Sequence, residues 1–215
     1  GSIHQVKDAS NFEDASYTYG AQAIFVKDGS TYTSNITNSN IVYGIGKKLY
    51  TWGTNGSGQL GHGNRSTGRK PTLVGSKENW VKVATGLEFT IALDKNGSLW
   101  SWGSNRNGKL GRNLSFNAQV LSPAQIGTDT DWQDFAVAAN HVIALKKDGS
   151  IWSWGDNTAG KLGQGNKSRL STNHDLYSPK QVGTDTDWKY VAASDNNTFA
   201  IKEDGTLWGC GINSN

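Results

Sequence analysis

Leu99-Trp100-Ser101-Trp102-Gly103-Ser104-Asn105-Arg106-Asn107-Gly108-Lys109-Leu110-Gly111 decides the fold, because the chain repeats it. An earlier copy runs Leu49-Tyr50-Thr51-Trp52-Gly53-Thr54-Asn55-Gly56-Ser57-Gly58-Gln59-Leu60-Gly61, and a later one runs Ile151-Trp152-Ser153-Trp154-Gly155-Asp156-Asn157-Thr158-Ala159-Gly160-Lys161-Leu162-Gly163. A fourth opens at Leu207-Trp208-Gly209-Cys210-Gly211. Trp52 and Trp102 are 50 residues apart, Trp102 and Trp154 are 52 apart, and Trp154 and Cys210 are 56 apart. Self-similarity at such a period marks a solenoid, propeller or array. A period near 50 residues suits one small sheet per repeat.

On either side of the phrase the pattern resolves into strands. Phe89 to Leu93 and Leu99 to Trp102 flank Asp94-Lys95-Asn96-Gly97-Ser98, and Asn-Gly between β-branched and aromatic runs is a strong hairpin signal. His141 to Leu145 with Ile151 to Trp154, and Asn197 to Ile201 with Leu207-Trp208, repeat the design around Asp148-Gly149 and Asp204-Gly205. A long Gly/Asn/Ser loop follows each hairpin. A strand led by Pro71, Pro123 or Pro179 comes next, then one opened by Trp80, Trp132 or Trp188. Proline suits an outer position, where a missing N–H does no harm. Small residues at Ala84, Gly86, Ala138, Ala139, Ala192 and Ala193 mark the strands that approach a common axis. The expectation is an all-β chain of four-stranded antiparallel units arranged as a β-propeller or part of one.

Composition agrees. The chain has 215 residues, 27 Gly and 9 Trp, so its core is built from a few large aromatics spaced by glycine turns. No apolar run approaches the roughly 18 residues of a membrane span, and the start lacks the basic-then-apolar pattern of a signal peptide. The opening Gly1-Ser2 and the absence of Met read as a vector-derived start on a fragment, so localisation is left open. A single cysteine forbids an internal disulfide, and Cys210 takes the place of a repeat Trp, which makes it a packed core thiol. A net charge of +3 with scattered basic residues is far from the dense positive field of a nucleic-acid binder.

The phrase W-G-x-N-x-x-G-x-L-G, a Pro-led strand, and then V-x-x-x-x-x-H-x-x-A-L-x-x-D-G-x-L resemble the RCC1 (regulator of chromosome condensation) repeat over residues 36–215. The identical Gly127-Thr128-Asp129-Thr130-Asp131-Trp132 and Gly183-Thr184-Asp185-Thr186-Asp187-Trp188 are similar in style to bacterial and phage-encoded members. The resemblance implies a seven-bladed propeller acting mainly as a binding platform. This chain supplies three full four-stranded blades with incomplete units at both ends, so its ring would be completed by oligomerisation or by sequence outside it. Residues 1–35 are expected to form an N-terminal cap or degenerate hairpin, with Ala23-Ile24-Phe25-Val26 and Thr31-Tyr32 as its strands and Asp28-Gly29 as its turn. Atypical end units shield the terminal cores of repeat proteins.

No H-E-x-x-H, paired-cysteine, G-x-S-x-G or G-x-x-x-x-G-K-[ST] motif is present. Of His4, His62, His141 and His174, only His141 matches the family's repeat histidine, and Phe89 and Asn197 fill that position in neighbouring repeats. A residue exchangeable with Phe is structural, and the chain reads as a non-enzyme with no cofactor. Asp129-Thr130-Asp131 and Asp185-Thr186-Asp187 lack the six to eight oxygens of a Ca²⁺ site and read as turns, so no metal is expected.

What remains is surface. The loops from Thr54 to Asn79, Ser104 to Asp131, and Asp156 to Asp187 lengthen along the chain, and their net charges run +3, +1 and 0. Variable loops on a rigid frame are where recognition concentrates. Arg65, Arg69, Arg106, Arg112, Arg169, His174 and Tyr177 are the candidate binding residues, since Arg and Tyr anchor interfaces. The leading expectation is a non-catalytic platform for a protein partner. The alternative is a virion or cell-surface component, binding a receptor or self-assembling through open propeller ends as a homo-oligomer. Guanine-nucleotide exchange on a small GTPase ranks last. Nucleic acid is disfavoured as a partner, and no membrane insertion is expected.

Overall fold

The computed structural model describes residues 5–6, 21–27, 30–36, 42–165 and 174–212, with side chains described for 48–165 and 174–212. Its strands in chain order begin with β1 (Gln5–Val6), β2 (Ala21–Lys27), β3 (Ser30–Ile36), β4 (Val42–Lys47), β5 (Leu49–Gly53) and β6 (Gly68–Leu73). Next come β7 (Trp80–Gly86), β8 (Phe89–Asp94), β9 (Leu99–Ser104) and β10 (Gln119–Gln125). The last are β11 (Trp132–Val137), β12 (His141–Lys146), β13 (Ile151–Gly155), β14 (Leu176–Gln181), β15 (Trp188–Ser194), β16 (Asn197–Lys202) and β17 (Leu207–Gly211). They form four sheets, ordered β1-β3-β2-β5-β6, β10-β9-β8-β7-β4, β11-β12-β13-β14 and β15-β16-β17. Every pairing is antiparallel. The sheets are propeller blades, and β11 packs against both β7 and β15.

Each hairpin forms for a local reason. Asp94 Oδ1 accepts from the Asn96 and Ser98 amides at 2.9 and 3.0 Å, and Gly97 adopts a φ of +83°. A side chain at Gly97 is excluded twice over, because its Cβ would lie 2.2 Å from the Thr130 carbonyl oxygen of the next blade. Gly149 repeats this against Thr186 at 2.0 Å. The strand leading each full blade carries an irregularity after its tryptophan, between Trp80 and Lys82, Trp132 and Asp134, and Trp188 and Tyr190. The outer strands begin upstream of their prolines rather than at them, and Pro123 lies within the irregular stretch between Val120 and Ala124. Proline is tolerated there because the outer strand needs no partner beyond it.

The N-terminal strands join the first blade. β2 pairs with β5 so that Phe25, Ile24 and Ala23 face Leu49, Tyr50 and Thr51. Leu93, Ala92 and Ile91 face Leu99, Trp100 and Ser101 in the same way in the second blade. β2 and β3 pair antiparallel with Val26 opposite Thr31, and the expected Asp28-Gly29 turn lies outside the described residues. β4 then crosses to pair with β7 in the second sheet.

Tryptophans set the spacing between blades. Trp102 Nε1 donates to the Gln59 carbonyl of the blade before it at 2.8 Å, and Trp154 Nε1 donates to Lys109 O at 3.1 Å. Cys210 keeps the donor where the tryptophan is lost, with its Sγ 3.3 Å from Lys161 O. Trp80, Trp102 and Trp154 are fully buried. Trp154 packs with Phe89, Ile91, Leu110, Phe135 and Val142 in a core shared by the second and third blades, while Trp80 and Trp102 pack with Leu49, Val74 and Val83.

Candidate functional site

One rim of the array is built from the long loops that follow β5, β9 and β13. Their first asparagine, fully buried as Asn55, Asn105 and Asn157, organises each of them. Its Oδ1 accepts from the amide of Leu60, Leu110 or Leu162 at 2.9 to 3.2 Å. Asn55 Nδ2 also donates to Asn64 O and Ser66 O, and Asn105 Nδ2 donates to Leu114 O and Ser115 O. A hydroxyl from the strand closes the same turn, with Thr51, Ser101 and Ser153 donating to the carbonyls of Leu60, Leu110 and Leu162. Residue type alone does not single out these groups. Their signal was recurrence at one place in all three copies.

Beneath the loops lie buried polar groups that lock neighbouring blades. His141 is fully buried, with Nε2 2.8 Å from Thr198 Oγ1 of the next blade. Burial, with Lys161 adding to it, pushes its pKa down to about 3, so the ring is neutral. Lys109 donates to Leu87 O and lies 3.4 Å from Asn140 Oδ1, and burial lowers its pKa to about 8. Lys161 meets Asp156 at 2.6 Å and Asp195 O at 3.3 Å. Both lysines tie the loop of one blade to a turn of the following one.

The candidate binding residues fall into two groups. Arg65 and Arg69 are exposed at the first seam, where Arg69 and Lys70 on β6 line a cleft of about 780 Å³ whose far wall is Ser122 and Pro123 of β10. His62 also lines it, with Nε2 2.9 Å from Thr51 Oγ1 and 3.3 Å from Thr72 O, and burial lowers its pKa. The segments carrying Arg106, Arg112, His174 and Tyr177 meet at the next seam. There Asn107 Nδ2 donates to Asp175 Oδ2 at 2.8 Å, and the Asn113 amide donates to Tyr177 O at 2.7 Å. Gly108 sits against β14 so closely that a Cβ would lie 2.7 Å from Tyr177 Cα. Arg106 is exposed, while Arg112, His174 and Tyr177 are half-buried. Arg112 occupies the repeat position of His62 and of Gln164, whose Nε2 reaches Ser153 Oγ and Gln181 O across the two outer strands. Arg169 lies outside the described residues.

On the opposite rim the aspartates of the two Asp-Thr-Asp stretches are paired with lysines. Asp129 and Asp131 meet Lys146 at 2.7 and 3.1 Å, and Asp185 and Asp187 meet Lys202 at 2.7 and 3.0 Å. Lys146 lies 4.8 Å from the ring centres of both Trp132 and Trp152. Burial lowers its pKa, but the two aspartates outweigh that and leave it raised. The second blade makes the same contact with its charges exchanged, since Lys77 meets Asp94 at 2.9 Å and lies 4.2 Å from the Trp100 ring centre. Among the described residues no group of three or more His, Cys, Asp or Glu is placed to hold a metal ion. Nor is any helix there long and apolar enough to cross a membrane.

Antiparallel sheets of three to five strands, stacked through tryptophan-to-carbonyl seams, define a β-propeller scaffold that displays loops. The regulator of chromosome condensation (RCC1) repeat matches residues 48–93, 96–145 and 148–201, and a second form of it matches 80–109, 134–161 and 188–215. The chain belongs to the RCC1 repeat family. It is 31% identical over 180 residues to the Xenopus laevis serine/threonine-protein kinase Nek9, covering 79% of this chain and 18% of that protein. It is 32% identical over 201 residues to the human E3 ubiquitin-protein ligase HERC2, covering 90% of this chain and 4% of that protein. Human WBSCR16 superposes with a TM-score of 0.67 at 17% identity, over 81% of this chain and 45% of that one. Prp20p of Saccharomyces cerevisiae, a protein studied for its binding to Gsp1p and histones, superposes with a TM-score of 0.66 at 25% identity, over 80% of this chain and 41% of that one. The chain thus spans a small part of these curated relatives and less than half of either solved structure. The relatives are eukaryotic, so the bacterial or phage style read from the Gly-Thr-Asp-Thr-Asp-Trp loops finds no support in them.

Proposed function

We propose that this chain is a non-catalytic protein-interaction platform, with residues 36–215 as its repeat array, residues 1–35 as an N-terminal cap or degenerate hairpin, and the loop rim as its binding surface. The observation that carries the reading is the internal hydrogen bonding of that rim among the described residues. Each loop is held from inside by a buried asparagine and a strand hydroxyl, while Arg65, Arg69 and Arg106 remain at the surface. A surface ordered before it meets a partner loses little entropy on binding. Binding of Gsp1p and histones by the related Prp20p is in keeping with a scaffold of this kind. The test is affinity capture from a eukaryotic lysate with the parent chain, an Arg65→Ala/Arg69→Ala/Arg106→Ala variant, and a Lys95→Ala/Glu203→Ala control on the opposite rim. Capture by parent and control but not by the loop variant supports the platform; equal capture by all three removes the loop rim as its site.

Self-association is the second reading, and with it a structural or receptor-binding role. It is favoured by β17, where Leu207 and Trp208 are 68% and 54% exposed. Sedimentation across a hundredfold concentration range separates the readings, since a homo-oligomer gains mass and Leu207→Asp abolishes the gain. Nucleotide exchange on a small GTPase stands last.

A further inference from the structure

We propose that the slot between the third and fourth blades binds a small, flat, bicyclic aromatic molecule with a ring N–H, indole being the simplest, whose N–H donates to the Lys161 carbonyl. The proposal goes beyond the platform reading and does not rest on it.

The first support is a slot whose walls are kept while its filling is lost. Trp102 fills it between the first and second blades and Trp154 between the second and third, and Cys210 stands in their place in the fourth. Ile91, Leu110, Ile126 and Trp132 pack in one core with Trp154. Their counterparts one blade on are Ile143, Leu162, Val182 and Trp188, and these line a cavity of about 190 Å³ beside Cys210. Ile143, Leu162 and Trp188 are buried. The walls suit an indole, and the side chain supplied is far smaller than one.

The second support is the set of contacts that an indole makes in the other seams. There the ring N–H donates to Gln59 O at 2.8 Å and to Lys109 O at 3.1 Å. Lys161 O is the third carbonyl of that series and faces the Cys210 thiol at 3.3 Å, a weak donor that leaves a lone pair for a stronger one. The rings tell the same story. Trp80 lies between Trp100 at 5.7 Å and Trp102 at 6.0 Å, and Trp132 between Trp152 at 6.0 Å and Trp154 at 6.3 Å. Trp188 meets Trp208 at 6.0 Å, and Cys210 supplies no second ring. An apolar cavity of about 150 Å³ takes up benzene, so about 190 Å³ has room for a fused second ring. Because β17 already occupies the place of the backbone that carries the ring in other blades, the slot takes a ring with no chain attached.

The experiment is isothermal titration calorimetry with indole, with benzothiophene, which has its shape without the N–H, and with N-acetyltryptophanamide, which puts a backbone on the ring. Indole should bind at one site, and benzothiophene roughly fivefold more weakly, as the loss of one hydrogen bond of about 1 kcal/mol requires. Cys210→Trp should abolish binding, and Cys210→Ala, which only enlarges the slot, should keep it. Methyl NMR of the unaltered chain locates the ligand without any variant, with shifts expected at Leu162 and Val182. The proposal is overturned if indole does not bind, or if benzothiophene or N-acetyltryptophanamide binds as well or better. It is equally overturned if a folded Cys210→Trp chain binds like the parent, if Cys210→Ala loses binding, or if the shifted methyls lie elsewhere.

Discussion

At the scale of single residues, the buried polar groups of this protein act between blades rather than on substrates. His141 is the clearest example, because its neighbours in the repeat are Phe89 and Asn197 and its partner is Thr198, 57 residues away. Its pKa of about 3 lies below the ordinary 6.5, so the unfolded chain binds this proton more tightly than the folded one. The stability that neutral His141 provides is therefore intact above pH 6.5 and is lost as pH falls from there towards 3. Between pH 6 and 4.5 the parent should lose up to about 1.4 kcal/mol per pH unit more than His141→Asn. Urea unfolding across that range measures it, and parallel curves would show that the ring is not held neutral. Cys210 supplies a second residue-scale prediction. It stands in a tryptophan's place beside a cavity of about 190 Å³ lined by Ile143, Leu162, Val182 and Phe199. Cys210→Trp should fill that space and raise stability by about 0.5–2 kcal/mol, read as a higher urea midpoint. A lower midpoint would mean that the fourth blade has closed around the smaller side chain.

At the scale of elements, the loop entering each blade and the end of its second strand are joined by a lysine held between aspartate and tryptophan. Which element supplies the lysine does not matter to the geometry. It comes from the loop in the second blade, as Lys77, and from the strand in the third, as Lys146. The exchange predicts that Asp129→Lys and Lys146→Asp will each destabilise by about 1 kcal/mol or less, given how exposed Asp129 is. The double variant should recover most of the loss, and a thermal-melt double-mutant cycle reads the coupling. Additive losses would assign the stability to lysine packing on Trp132 and Trp152 alone. The Asp-Thr-Asp stretches, expected as turns, run instead as irregular loop into β11 and β15. Their lysine partners were not legible in the sequence, since each pair spans the strand-loop connection and depends on where a neighbouring hairpin ends.

At the scale of the molecule, the blades contact their neighbours in sequence, so stability is graded along the array. The second and third blades share a core of fully buried side chains, whereas Tyr190, Phe199 and Trp208 of the fourth are 55%, 40% and 54% exposed. Amide exchange should be slowest in β8, β9, β12 and β13 and fastest, among the described strands, in β15 to β17. Uniform protection would show instead that the array opens as one unit. The sequence by itself determined the strands, the hairpin turns, the blade and the family, because alternation, Asn-Gly and Asp-Gly turns and a 50-residue repeat are all written within one stretch of chain. Tertiary structure alone decided that β2 completes the first sheet while β4 crosses to the second, and that β6 and β10 line one cleft while the Arg106–Gly108 turn meets β14. It also turned the Trp102 and Trp154 indoles onto carbonyls of the preceding blade. The indole contacts join residues more than 40 positions apart, as Trp102 joins Gln59, and form only once separate sheets have packed against one another.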